Sequence, residues 1–426
     1  MIKNENKNFK ETYYEDCCDN GLKIVVWHKP EFATTSCLFA TPYGSFDFEQ
    51  IDQDGHKIKF PEGIAHFLEH KLFESDEGDV MSTFSTMGAN VNAFTSFNET
   101  VYYFDTSDED IAEPLNLLLD FVQDLRITTE SVEKEKGIIA QELNMYLEMP
   151  DSRLLFETFR SLYKYHPLKN DIGGTVESVY QITKENLEDC YAINYHPANM
   201  MVIVVTPVDP EKVIHLIKEN QSHKTFPKFK PVTRYFEEEP KEVFEKTKTI
   251  IMDVTNQKIC LGYKLPVLDE TDASRVKRDW ALRFILENHF TTMNPEYQSW
   301  IDTHQISHYF EYEIDLSKDY ALLIFSDEGI QLDAFKAFIE KQLEIIKKNA
   351  LNEDALYQLK NRSLGESLTI FNQPDAIGIQ YFRNIQTGVS LFDTIEIISS
   401  LTCEDCTNAL NNYNFDEMSE IVIKSK

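Results

Sequence analysis

The first half of the chain contains short apolar runs whose lengths are those expected of β-strands. Five of them stand out: residues 22–27, 34–40, 90–97, 100–105 and 201–205. Alternating or continuous apolar character over about four to eight residues, bounded by turn residues, is typical of β-strands. The turn Asn98-Glu99 joins the third run to the fourth and predicts a β-hairpin.

Longer segments between these runs place apolar residues three and four positions apart, which predicts amphipathic helices. Residues 109–125 follow this spacing, and residues 129–149 form a long helix with Thr129 or Ser131 as its N-cap. The polar residues before Asp19 are expected to pack loosely. Because strands and helices alternate, we predict an α/β unit of roughly 200 residues.

Composition narrows the class of protein. The 426 residues carry a formal net charge of −31, with 42% hydrophobic and 12% aromatic residues. Such a polyanion repels nucleic acid and anionic membrane surfaces, so neither is an expected partner. No run approaches the ~18 apolar residues that a membrane helix needs, and the polar start lacks the apolar core of a secretory signal. We therefore predict a globular protein with a cytoplasmic location.

A histidine-containing segment at residues 65–73 is the strongest chemical signal. In a helix, His66 and His70 are one turn apart and Glu69 lies on the same face. In the order H-x-x-E-H, histidine nitrogens bind zinc and the glutamate moves the proton of an activated water. The alternative is an ordinary amphipathic helix with surface histidines, so the motif needs further context.

The long helix at residues 129–149 supplies a candidate third ligand. Glu135 and Glu142 are seven residues apart and therefore lie two turns apart on one helical face. A catalytic zinc takes three protein ligands, one of which can be a carboxylate, and keeps one position open. We choose Glu142 for this role. In so acidic a chain, any single glutamate is more often part of a solvated helix face.

Lysine, glutamate and proline are concentrated in residues 219–248, which is the composition of a linker. We predict a zinc-binding N-terminal domain at residues 1–225, a linker at 226–248 and a C-terminal domain at 249–426.

The C-terminal domain repeats the N-terminal one in outline, which indicates an internal duplication. Residues 281–290 fall where a second histidine helix is expected. When Phe284 is aligned with Phe67, the positions of the two histidines and the glutamate become Arg283, Glu287 and Leu286. The copy therefore has no metal ligands.

Four sequence blocks, by their order and spacing, resemble the insulinase/pitrilysin family of inverted-zinc metallopeptidases over nearly the whole chain. The likeness is greatest to its short bacterial members and to the mitochondrial processing peptidase type. The blocks are Asn20-Gly21-Leu22, residues 63–70, residues 88–95, and residues 133–142 followed by 195–200. The resemblance implies the α+β class, as a tandem of two homologous α/β sandwich domains that forms half of a clamshell.

The resemblance also implies roles for the candidate residues. His66, His70 and Glu142 would bind one zinc ion (Zn2+), and Glu69 would be the general base for the water that zinc binds. Glu135 would orient a ligand histidine from behind the metal.

A third block implies how substrate binds. Asn92, Ala93 and Phe94 match the family's edge strand, on which substrate lies as an added β-strand held by backbone hydrogen bonds. The expected activity is therefore that of a metalloendopeptidase that processes peptides or unfolded segments inside a closed chamber.

One departure from the family pattern concerns substrate contacts. Active members usually have an arginine and, seven residues later, a tyrosine in a second-half domain, but this chain has Trp300 and Ser307 there. We therefore expect a heterodimer, rather than a homodimer, in which a related chain without zinc ligands supplies that pair.

Two other functions remain open at this stage. Relatives that have lost their ligands act as non-catalytic scaffold or binding subunits, although this chain keeps the full set. Cys403 and Cys406 form a C-x-x-C pair among seven cysteines, but the acidic residues between them disfavour redox or metal chemistry.

Overall fold

A computed structural model describes residues 1–75, 78–349 and 351–426 of the chain. Its strands are β1 (Ile2–Asn6), β2 (Glu11–Cys17), β3 (Lys23–His28), β4 (Thr35–Thr41), β5 (Glu49–Ile51), β6 (Lys57–Lys59), β7 (Glu74–Ser75), β8 (Gly78–Asp79), β9 (Ala89–Thr95), β10 (Thr100–Thr106), β11 (Met201–Thr206), β12 (Thr233–Arg234), β13 (Thr247–Ile251), β14 (Lys258–Lys264), β15 (Glu311–Leu316), β16 (Ala321–Glu328) and β17 (Met418–Lys424).

The helices separate and cover these strands. They are α1 (Ile64–Leu72), α2 (Val80–Thr86), α3 (Ala112–Val122), α4 (Thr129–Glu148), α5 (Pro150–Leu162), α6 (Val176–Gln181), α7 (Lys184–Asn194), α8 (Pro210–Ser222), α9 (Asp272–Phe290), α10 (Tyr297–Asp302), α11 (Leu332–Lys348), α12 (Glu353–Ile370), α13 (Pro374–Thr387), α14 (Leu391–Ser400) and α15 (Cys403–Leu410). Within the described residues, no helix is both long and apolar enough to cross a bilayer.

A seven-stranded sheet organises the first unit, in the order β1-β2-β3-β11-β4-β10-β9. Strand β11 runs parallel to β3 and antiparallel to β4, and every one of its residues is buried. The five predicted apolar runs correspond to β3, β4, β9, β10 and β11. Continuous apolar character thus identified the central strand, because both of its faces are covered.

The second unit has a five-stranded sheet in the order β13-β17-β14-β16-β15. Its last strand in sequence, β17, again runs parallel to the first, β13, and antiparallel to the second, β14. This order and these directions repeat those of β3-β11-β4-β10-β9. The predicted tandem of two homologous α+β domains is therefore confirmed by the topology.

The structure divides the chain differently from the contiguous boundaries 1–225 and 249–426. The first unit comprises residues 1–144, 171–236 and 368–383, and the second comprises 145–170, 237–367 and 384–426. Helix α5 therefore packs on the second sheet, and most of α13 packs on the first. Amphipathic spacing shows that a helix buries one face, but it does not show which sheet that face meets.

Two glycines permit this close packing of helix on sheet. A Cβ on Gly262 of β14 would lie 2.7 Å from Thr158 Cγ2 of α5. A Cβ on Gly378 of α13 would lie 2.6 Å from Leu38 Cδ1 of β4. Each unit thus uses one glycine where its sheet meets the helix contributed by the other half of the sequence.

The expectation of a loosely packed N-terminus is wrong. Strands β1 and β2 form a hairpin that extends the first sheet beside β3. Glu11 is buried, accepting a hydrogen bond from Trp27 Nε1 at 2.5 Å and lying 2.7 Å from the Lys29 ammonium group. A polar sequence can form this hairpin because its buried carboxylate is paired with partners on β3 and just beyond it.

The linker stretch 226–248 is anchored at several points. Strand β12 pairs with β5, and the Arg234 guanidinium group binds both oxygens of Asp47 at 2.8 Å. Within the second unit, the Glu239 carboxylate accepts hydrogen bonds of 2.7–2.9 Å from three backbone amides of residues 164–166.

Candidate metal centre

Helix α1 presents His66, Glu69 and His70 because its other face is apolar. The buried stripe consists of Ile64, Ala65, Phe67, Leu68, Lys71 and Leu72. Gly63 is the N-cap residue just before the helix, and its φ of 85° lies in the left-handed region. A Cβ there would lie 2.1 Å from the Gly173 carbonyl oxygen, so glycine fixes where the helix begins.

Helix α4 brings Glu142 to the two histidines. Glu142 Oε1 lies 3.9 Å from His66 Nε2, and Glu142 Oε2 lies 3.6 Å from His70 Nε2. The imidazole rings are 4.6 Å apart between centroids and inclined at 68°. One donor atom from each of the three residues lies within 4.8 Å of the others, so the predicted triad is assembled.

The donor set fits a zinc ion. Zinc with tetrahedral bonds of 2.0–2.1 Å places its ligand atoms about 3.3 Å apart, slightly closer than the nitrogen–oxygen distances here. Burial, together with the neighbouring His70, lowers the pKa of His66 to about 4. The ring is therefore neutral near pH 7, which is the form that binds a metal.

The two histidines are held differently. His70 Nδ1 is 3.0 Å from Glu135 Oε1, whereas His66 Nδ1 is buried and has no hydrogen-bond partner among the described residues. Burial alone would lower the pKa of His70, but the hydrogen bond to Glu135 and the nearby charges of Glu69 and Glu142 raise it. Glu135 thus contacts the Nδ1 side of the His70 ring, and Nε2 on the other side faces Glu142.

Glu69 projects from α1 beside the end of strand β9. Burial raises the pKa of its carboxyl group, and the hydrogen bond from the Thr95 hydroxyl acts in the opposite direction. Thr95 Oγ1 donates to Glu69 Oε2 at 2.6 Å. Sequence reasoning quoted Thr95 within a family block but gave it no role, because only the fold brings it to Glu69.

Strand β9 is the last strand in the order of the first sheet and packs against α1. It carries Asn92, Ala93 and Phe94, which pair through their backbones with β10 on one side. Asn92 is exposed, and its Oδ1 accepts a hydrogen bond from the backbone amide of Ala93 at 2.8 Å. Among the residues that the structure describes, no strand pairs with the outer edge of β9.

The residues at the family's arginine and tyrosine positions have structural contacts in the second unit. Trp300 is buried, with its ring 5.1 Å from that of Phe338. Ser307 bonds to the Asp327 carboxylate through both its hydroxyl and its backbone amide. Neither side chain supplies a cation or a phenol for substrate.

Two family profiles match consecutive parts of the chain. Residues 58–176 match the family described as Insulinase (Peptidase family M16), and residues 181–363 match the Peptidase M16 inactive domain. A protein named uncharacterized zinc protease YmfH, from Bacillus subtilis (strain 168), is 35% identical over 407 residues, which is 95% of each chain.

Solved structures show the same likeness. An M16-like peptidase from Alicyclobacillus acidocaldarius superposes with a TM-score of 0.92 and 31% identity, covering 100% of both chains. The periplasmic protease PqqL from Escherichia coli has a TM-score of 0.75 and 18% identity. The match covers 100% of this chain but 48% of PqqL, so the fold described above recurs as about half of a longer polypeptide.

Proposed function

The chain belongs to the insulinase family of peptidases, M16, and from this premise we propose that it is a zinc-dependent metalloendopeptidase. The observation that carries the proposal is the convergence of His66, His70 and Glu142 next to Glu69 and strand β9. A surface helix with chance histidines gives no reason for a third donor and a second carboxylate to meet them.

His66, His70 and Glu142 would hold the zinc ion. When bound, zinc supplies a Lewis acid that activates a water molecule and polarises the scissile carbonyl group. Glu135 keeps the His70 ring oriented through Nδ1. Glu69, which the Thr95 hydroxyl holds through Oε2, would accept a proton from the attacking water.

The substrate class follows from strand β9. Backbone amides and carbonyls on an open strand edge bind an extended peptide with little regard to its side chains. We therefore propose peptides or unfolded segments as substrates, with Asn92, Ala93 and Phe94 along the bound stretch. A folded domain cannot present such a strand without local unfolding.

A partner chain completes this proposal. Trp300 and Ser307 cannot hold substrate as the family's arginine and tyrosine do, and the same fold accounts for half of PqqL. We propose a heterodimer in which a related chain without zinc ligands supplies that pair. The isolated chain should then bind zinc but show little turnover, and full turnover by the isolated chain would contradict the heterodimer.

The experiment is metal analysis combined with a Glu69→Gln variant of the complex purified from its native host. We expect one zinc per heterodimer, bound to this chain, in both the wild-type and the variant complex, because Glu69 is not a donor. Turnover of a quenched fluorescent peptide should fall by about 10²- to 10⁴-fold in the variant, the usual contribution of a general base. A zinc-free wild-type protein, or undiminished turnover in the variant, would contradict the proposal.

The alternative is a non-catalytic binding subunit, which the match of residues 181–363 to an inactive domain favours. The same variant separates the two functions in cells. A binding subunit with Glu69→Gln would still complement deletion of the gene, whereas a peptidase with this change would not.

A further inference from the structure

Lys71 is the one charged residue on the buried stripe of α1. It follows Ile64 by seven residues, and its side chain is 0% exposed. Burying an ammonium group is costly unless the group is paired and hydrogen-bonded. An apolar residue would satisfy the helix periodicity at this position, so the partners of Lys71 indicate why a lysine is there.

Those partners connect α1 to α4. Lys71 Nζ donates to the Ser131 carbonyl oxygen at 3.3 Å and lies 3.8 Å from Glu135 Oε2. It also forms a close ion pair with Glu74, the residue that opens β7. The other oxygen of Glu135 holds His70 Nδ1. One carboxylate therefore bridges a buried lysine and a candidate metal ligand.

The contacts of Lys71 lie on the two helices that carry the candidate metal donors. Ser131 and Glu135 lie on the first turns of α4, and Glu142 follows on the same helix. The two histidines lie on α1, one of them directly before Lys71. Lys71 thus fixes the helix that carries two donors against the helix that carries the third.

We propose that Lys71 is a positioning residue of the metal centre. Its ammonium group holds Glu135 in place, and through Glu135 it holds the ring of His70 and the separation of α1 from α4. This inference rests on the proposed zinc site, and its test measures metal binding rather than turnover.

If Lys71 had a purely structural role, replacing it should have the same effect as replacing another buried lysine. Lys264 is the matched control: its side chain is 6% exposed and its Nζ lies 2.7 Å from Glu239 Oε1. Neither Lys264 nor Glu239 touches a metal donor. Replacing either lysine removes a buried ion pair, but only Lys71 connects to the donor set.

The experiment compares Lys71→Met with Lys264→Met in the full-length chain, since methionine keeps an unbranched stem and removes the charge. Zinc affinity is measured by competition with a chromophoric chelator, and the ligand field by the absorption spectrum of the Co2+ form. We expect Lys71→Met to weaken zinc binding by about 10- to 100-fold, the range for residues that orient metal ligands. Lys264→Met should bind zinc within twofold of wild type.

A double variant tests whether Lys71 acts through Glu135. Lys71→Met and Glu135→Gln should shift the Co2+ spectrum in the same way, and the combined loss of zinc affinity should be smaller than the product of the two single losses. Multiplicative losses would overturn the proposal, as would a Lys71→Met protein that binds zinc as tightly as wild type or more tightly.

Two further outcomes remain distinguishable. If Lys71→Met does not fold, Lys71→Gln replaces it, because the amide can still donate to the Ser131 carbonyl while the charge is lost. The same weakening of zinc affinity is expected, and unchanged affinity would overturn the proposal. Failure of the wild-type chain to bind zinc would instead contradict the proposed function.

Discussion

Helices α1 and α9 occupy corresponding places in the two units but differ in how the charged groups around them are paired. In the first unit, the His66 and His70 side chains of α1 face the Glu142 carboxylate of α4. In the second unit, the aligned residues of α9 are Arg283 and Glu287. Glu287 forms an ion pair with Arg362 on α12, which occupies the same place in the element order as α4.

The comparison shows how charge is balanced in the unit that lacks the candidate metal ligands. Arg362 supplies from the chain itself the positive charge that a cation would bring to the first unit. Arg283 in turn donates to Asp279 at 2.7 Å and to the Ile314 carbonyl oxygen at 2.9 Å. The second unit is thus internally paired at this junction, whereas in the first unit the neutral His66 ring faces the Glu142 carboxylate.

The largest expected effect comes from removing a donor. His70→Ala takes away one of three ligands, so zinc binding and turnover should both be lost, with turnover falling at least about 10³-fold, or roughly 4 kcal/mol of transition-state stabilisation. Metal content by mass spectrometry and peptide turnover by the complex check this. The aligned change Glu287→Ala should leave both unchanged, and a comparable loss there would erase the distinction between the units.

A smaller effect is expected from crowding a ligand. A Cβ on Gly173 would lie 2.8 Å from Leu143 Cδ2 and 3.4 Å from His66 Nδ1. Gly173→Ala should therefore cost about 1–3 kcal/mol in the free energy of unfolding and weaken zinc binding as well. Gly262→Ala, which crowds Thr158 instead, should lose stability at unchanged zinc affinity. Equal zinc affinities in the two variants would contradict this prediction.

Loss of the Thr95 hydroxyl that donates to Glu69 should have a smaller effect. Thr95→Val removes the hydrogen bond to Glu69, so kcat should fall about 10-fold, the equivalent of roughly 1.4 kcal/mol, with zinc affinity unchanged. Thr95→Ser should restore most of the rate because it keeps the hydroxyl. The matched hydroxyl–carboxylate pair in the second unit is Ser307 with Asp327, and Ser307→Ala should not affect kcat. A rate loss equal to that of Thr95→Val would argue against a specific role for Thr95.

The smallest effect is expected from replacing Arg362, whose guanidinium group pairs with Glu287. The Arg362 side chain is 56% exposed, and exposed ion pairs contribute between 0 and about 1 kcal/mol. Arg362→Met should therefore lower the free energy of unfolding by less than about 1 kcal/mol in a urea titration. A loss above about 2 kcal/mol would contradict the small contribution expected of this exposed ion pair.

Local periodicity predicted which candidate donors share a helix face, and the family resemblance supported their choice as metal ligands. His66 and His70 are one helical turn apart, and Glu142 is set by the register of a single long helix, so their faces could be predicted without tertiary information. The two predicted helices do meet at these residues. The assignment of zinc and catalysis to them remains a proposal.

Residues whose role depends on distant contacts were not predictable. Lys71 appears in the sequence as a polar residue beside a histidine, and its function depends on Ser131 and Glu135 some sixty positions later. Thr95 resembles any strand threonine until β9 is placed against α1. Glu11 appears solvent-exposed until Trp27 and Lys29 enclose it.

The exchange of α5 and α13 between the sheets affects the order in which the chain becomes complete during synthesis. Translation proceeds at about 5–20 residues per second and domains usually mature from the N-terminus. The first unit is finished only when residues 368–383 leave the ribosome, about 150 residues after its preceding segment ends at Phe236. The first unit is therefore without most of α13 for about 7–30 seconds of translation, and until then the sheet surface around Leu38 that this helix covers stays exposed.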